Sequence, residues 1–180
     1  MNCWKTIRIS RDYGTLRLMM YSGFTMLFSF LFYYLAVSSI IPTTESPTIS
    51  LPIFIISIIA VLLFHKLLHL IPIWMCGKKA IIKARWVSFI PMLSVKVSRP
   101  LSRNLYLTAL LTPIFTITSI GALASVMLPM YIAYISILSS IHFGLAFYDI
   151  LYASYLIKAP KQSYIENHEE GLHILIKRAV

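Results

Sequence analysis

The sequence predicts an all-α membrane protein with four transmembrane helices, and three observations carry that prediction. Hydrophobic residues make up 58% of the 180-residue chain and charged residues only 12%, whereas a soluble domain is about one-quarter charged. Uncharged stretches recur that are longer than the roughly 20 residues a spanning helix needs. Basic residues gather in the amino terminus, the 77–103 connection and the tail and are absent from the other two connections, as they are when loops are sorted across a bilayer.

Lys and Arg outnumber Asp and Glu by 16 to 6. Such an excess can mark a nucleic-acid binder, but in so apolar a chain it reads as membrane orientation. The lipid bilayer is therefore the expected partner, and nucleic acid is not. The two cysteines, Cys3 and Cys76, fall in segments expected to face the cytoplasm, so reduced thiols are expected rather than a disulfide.

Residues 1–17 form a basic amino terminus with Lys5, Arg8, Arg11 and Arg17 against Asp12 alone. From Leu18 to Thr44 no residue is charged, and the first span is placed at about 18–41. This run is too long for the apolar core of a cleaved signal peptide. A short polar turn, Pro42 to Pro47, leads to the second span, about 50–75, rich in β-branched and aromatic residues. Pro72 is expected to kink its last turn or two. The connection 77–103 contains seven basic residues and no acidic one. Within it, Ala80–Val87 and Met92–Val97 have strand-like content around Ser88 to Pro91, so a small cytoplasmic hairpin near the lipid surface is expected. Asn104 to Tyr148 is 45 residues without a charge, which suits two spans turning at Pro129: about 105–127 and 131–157. In the tail, 158–180, the alternation of Leu172 to Ile176 suits a short strand pair.

Of the 16 basic residues only Lys66 lies within a predicted span. The remainder lie in the amino terminus, the 77–103 loop and the tail, which places both termini in the cytoplasm and makes 18–157 a single four-helix membrane domain.

Ionisable groups inside spans are costly and are therefore functional candidates. His65 and His69 stand at i and i+4, on one helix face, the spacing by which H-E-x-x-H helices hold zinc with the intervening Glu as general base. Here the base position is Lys66. His69 lies nine residues before Lys78 and Asp149 nine before Lys158, so both sit about 13 Å inside the cytoplasmic ends of their helices. They can meet if the second and fourth spans are neighbours. His65, His69 and Asp149 could then form a His₂-carboxylate metal set, with His142 as a partner behind them or a fourth ligand. Alternatively, Asp149 pairs with Lys66 or hydrogen-bonds a histidine, which would let these groups persist inside a bundle without metal. Cys76 is a weaker ligand candidate because Pro72 separates it from the histidines. Glu166, His168, Glu169 and His173 in the tail read as a solvated turn before a strand. Gly121 to Ser125 reads as a small-residue packing patch, and the aromatics Phe28 to Tyr34 as lipid-facing.

The order of these features is a basic terminus, two spans, His65-Lys-Leu-Leu-His69, a basic loop and two more spans with Tyr148-Asp149-Ile. Leu156-Ile-Lys-Ala-Pro-Lys161 and Gly171-Leu-His-Ile-Leu-Ile176 follow. Over roughly residues 50–178 this resembles a bacterial integral-membrane family of unknown function described as putative zincin peptidases. The resemblance implies a metalloprotease-like core in the bacterial cell membrane, laid out like intramembrane site-2 proteases, with zinc as cofactor. His65 and His69 carry over as ligand positions and Asp149 as the third, whereas the general base does not carry over, because Lys66 occupies its place. The leading expectation is a catalytically silent member that binds metal or a membrane-protein partner or substrate. An active intramembrane zinc metallopeptidase is the alternative, and a small structural or ion-conducting subunit a third.

Overall fold

A computed structural model describes residues 2–42, 47–87, 90–97, 100–168 and 171–176. A short strand and a short helix, β1 (Asn2–Ile7) and α1 (Ile9–Tyr13), precede the first long helix, α2 (Thr15–Ile40). The second long segment is broken into α3 (Leu51–Leu68) and α4 (Leu70–Met75). A hairpin of β2 (Ala80–Val87) and β3 (Ile90–Val97) follows, then the short β4 (Leu101–Ser102) and α5 (Arg103–Met127). One 3₁₀ turn at Pro129–Tyr131 leads into α6 (Ile132–Ile157), and the chain closes with β5 (Ser163–His168) and β6 (Gly171–Ile176).

Among the described residues, four helical segments are long and apolar enough to cross a membrane: Thr15–Ile40, Leu51–Met75, Arg103–Met127 and Pro129–Ile157. Each expected span thus coincides with a helix of suitable length and composition. The break in the second lies earlier than Pro72 itself. Proline has no N–H to offer the carbonyl four residues back and its ring crowds that carbonyl, so the ladder is interrupted at Leu68 and the helix restarts after His69.

The fold is mostly helical with a small β part, and that part is larger than the expected hairpin and tail strand pair. The N-terminal segment, read as a basic tail, is a strand, and the antiparallel sheet has the order β1-β6-β5-β4. β1 pairs with β6 from Asn2↔Ile176 to Ile7↔Leu172, so the two ends of the described chain lie together. Leu172 and Ile174 of β6, Ile165 of β5 and Ile7 of β1 turn inward onto Leu18, Leu110, Ala153 and Leu156 of the long helices. The sheet therefore caps the helix bundle rather than trailing from it. Gly171 opens β6 at φ 148°, and a side chain there would run into the Ile7 carbonyl, so glycine is what lets β1 approach. The hairpin pairs as the sequence suggests, Ala80↔Val97 to Val87↔Ile90, although Ser88 and Phe89 at its turn lie outside the described residues.

Helix α6 is the element against which α2, α3 and α5 all pack. Its inner face carries Ser136, Ser139, Ser140, Gly144, Ala146 and Ala153, all buried, and small residues let helix backbones approach when no hydrophobic force drives them together in lipid. Ser22 Oγ donates to the Gly144 carbonyl at 2.6 Å, which ties α2 to α6. The Gly121 patch serves close packing too, since a Cβ there would stand 3.0 Å from Ser139 Oγ.

Candidate metal centre

Three ionisable side chains from two helices converge at the break between α3 and α4. His65 is fully buried one turn before the end of α3, His69 occupies the break, and Asp149 reaches them from α6. One atom from each, a ring nitrogen from both histidines and a carboxylate oxygen, lies within 4.8 Å of the others. The second and fourth spans are thus neighbours, and the matched depths of His69 and Asp149 bring them together.

Asp149 Oδ2 lies 3.0 Å from His65 Nε2 and 3.4 Å from His69 Nε2. The shorter approach is not a hydrogen bond in geometry: Asp149 Oδ2 and both ring nitrogens of His65 are buried without a hydrogen-bond partner. Buried polar groups left in that condition call for an explanation. The two histidine rings stand 4.9 Å apart at 89°, so their edges address a common volume rather than stacking.

The His69 ring is held from behind. Its Nδ1 lies 2.8 Å from the Ala109 carbonyl oxygen on α5. A carbonyl can only accept, so Nδ1 carries the hydrogen and donates. In the neutral ring Nε2 is then a lone pair, and it faces a carboxylate oxygen 3.4 Å away. Two electron-rich atoms this close in a buried site require a positive charge between them, either a proton or a metal ion.

The donor set passes the test for zinc. With Zn–N and Zn–O bonds of about 2.0–2.1 Å, two ligands of a tetrahedral zinc lie about 3.3 Å apart, close to the two separations observed. Histidine, histidine and carboxylate are borderline ligands suited to zinc, and Nδ1–H bonded to a backbone carbonyl is the usual way a ligating Nε2 is oriented.

The other candidates fall outside this group. The fully buried His142 has its ring centroid 5.2 Å from that of His65, and neither of its nitrogens has a hydrogen-bond partner. It is a neighbour of the centre rather than one of the three converging groups. Lys66 is half-buried, and among the described residues the ion pairs of Asp149 are with His65 and His69 and none is with Lys66. Cys76 is free and exposed, as is Cys3. In the tail, Glu166 faces His173 across β5 and β6, while Glu169 lies outside the described residues.

Sequence reasoning missed the Ala109 carbonyl, because a backbone oxygen leaves no trace in residue identity. It also passed over Pro113, which stands inside α5, four residues after Ala109. That spacing is the one signal that could have marked the carbonyl.

Neither a curated protein nor a solved structure matches this chain. Residues 58–164 match the model of a family described as "Putative zincin peptidase", a match that begins just before His65 and ends just after Lys161. Since it covers more than half of the sequence, the chain belongs to that zincin-like family.

Proposed function

We propose that this protein is a membrane-embedded, zinc-binding member of the family whose hydrolytic step has lapsed, and which acts by binding a membrane partner. His65, His69 and Asp149 are its zinc ligands, and both termini face the cytoplasm. The observation that carries the metal assignment is the lone pair of His69 Nε2 facing Asp149 Oδ2 at 3.4 Å while Nδ1 is committed to Ala109. Zinc held there would supply Lewis acidity toward a carbonyl or a water.

The assignment of silence rests on position 66. A peptidase of this type needs a side chain that accepts a proton from water, and the residue after the first histidine normally supplies it. A lysine ammonium has three donors and no acceptor, and its charge opposes a nearby dication.

Metal analysis of the detergent-purified protein tests the first half: near-stoichiometric zinc is expected, and it should be lost in His65→Ala/His69→Ala. No metal in either protein would instead leave a proton-bridged structural cluster. Cleavage of transmembrane model peptides tests the second half. Hydrolysis should appear only in Lys66→Glu; hydrolysis by the unmodified protein would overturn silence and establish an active intramembrane metallopeptidase.

A further inference from the structure

Two prolines flank the centre: Pro72 breaks the helix beside His69, and Pro113 withholds a helix hydrogen bond from the carbonyl that His69 uses. Pro72 interrupts the ladder at Leu68 and leaves His69 at a break between α3 and α4. Pro113 lies in the interior of α5, where the residue it would serve as an i→i−4 donor is Ala109. Proline has no N–H, and its ring pushes the carbonyl four residues back outward from the helix axis. The Ala109 carbonyl is the one that His69 Nδ1 bonds at 2.8 Å. Ala109 and Pro113 are both buried, and Ala109 packs against Leu70 and Ile73 of α4, so water is a poor substitute partner for that oxygen.

We propose that Pro113 is a positioning residue for the centre: by withholding its N–H it turns the Ala109 carbonyl toward His69, whose ring is thereby held with Nδ1–H outward and Nε2 presented to Asp149. The proposal rests on the metal reading for its consequence, tighter zinc binding, but its structural content is the tautomer and orientation of one histidine. Both the missing donor and the waiting one are explained together. The α5 carbonyl would otherwise be an unpaired buried acceptor, and the His69 Nδ1–H an unpaired buried donor.

The variant Pro113→Ala restores the N–H and lets the ladder close on Ala109, drawing the carbonyl back toward the axis. Proline is the poorest residue in a helix interior and alanine the best, a gain that offsets the cost of leaving the buried His69 Nδ1–H unpaired, so the thermal midpoint of metal-free Pro113→Ala should stay close to that of the unmodified protein. Zinc affinity, read by competition with a chromophoric chelator in detergent, should nevertheless fall by roughly 10–100-fold, the usual effect of losing a partner behind a ligating histidine. A general loss of structure would lower both quantities; a positioning role lowers zinc affinity while the metal-free midpoint stays close to its original value.

The ¹⁵N spectrum of histidine-labelled, metal-free protein gives a readout independent of zinc. His69, assigned by comparison with His69→Ala, should carry a hydrogen on Nδ1 in the unmodified protein, whether or not Nε2 is also protonated, and lose its bond to the Ala109 carbonyl in Pro113→Ala. An Nε2–H tautomer of His69 in the unmodified protein would overturn the proposal without any variant having to fold. Unchanged zinc affinity and an unchanged His69 signal in Pro113→Ala would also overturn it, while leaving the metal reading intact. Absence of zinc from the unmodified protein would remove the metal reading and the affinity consequence, yet the His69 signal would still decide the role of Pro113.

Discussion

Helices α2 and α6 are each 26 residues long and are equally apolar over their most hydrophobic stretch, yet they have opposite surroundings. None of that stretch is buried in α2, against 39% in α6. Phe28 and Phe32 of α2 stack on each other at 6.3 Å and are 71% and 69% exposed, as suits side chains that meet lipid. On α6 serines, glycine and alanines line the inner face, and His142 and Asp149 are buried among them. Hydrophobicity alone therefore does not say which helix is central. In lipid the driving force is close packing and paired polar groups, and small or polar residues within an apolar run mark the helix that the others surround.

That contrast is most sharply broken at Asp149. Asp149→Ala should lower zinc affinity by more than the roughly 100-fold at the upper end for losing a partner behind a ligand, measured by chelator competition on folded, detergent-purified protein. Full zinc retention would mean that α6 contributes packing only. Gly144→Leu comes next, since a Cβ at Gly144 would stand 3.2 Å from Met26 Cβ and 3.4 Å from the Ser22 carbonyl. Overpacking of this kind costs about 1–3 kcal/mol, and the denaturation midpoint in detergent should fall accordingly. An unchanged midpoint would show that α2 is held to α6 only loosely. On the outer face of α2, Phe28→Leu should alter stability by no more than about 0.5 kcal/mol. A larger loss would reveal a protein partner covering the aromatics. Smallest of all, His173→Ala in the sheet should leave the zinc content unchanged, because His173 lies among the cap strands and not with the three converging groups.

The parts of the centre legible in the sequence were those with helical periodicity behind them. His65 and His69 share a face whatever surrounds them, and equal counts inward from Lys78 and Lys158 set His69 and Asp149 at one depth. The hairpin and the β5–β6 pair were legible from alternation and β-branched content. The strand β1 was not, since Asn2–Ile7 is a short segment whose extended form depends on β6 beside it. The break at His69 falls within the last two turns that Pro72 is expected to kink, one turn upstream of the ring because proline acts on the carbonyl four residues back.

Composition and the helical repeat alone account for four apolar helices, the one basic connection among them and a pair of histidines on one helix face. The sequence also set Lys66 directly after the first of those histidines. Only the tertiary structure decided that α6 is the helix the others share, that Asp149 comes within 3.4 Å of both histidines, and that His69 is locked by a carbonyl from α5. Those outcomes depend on which helices pack side by side and on backbone atoms whose availability is set by a proline one turn away. A one-dimensional pattern carries residue identity and spacing, whereas the direction of a lone pair exists only once the neighbouring helix is in place.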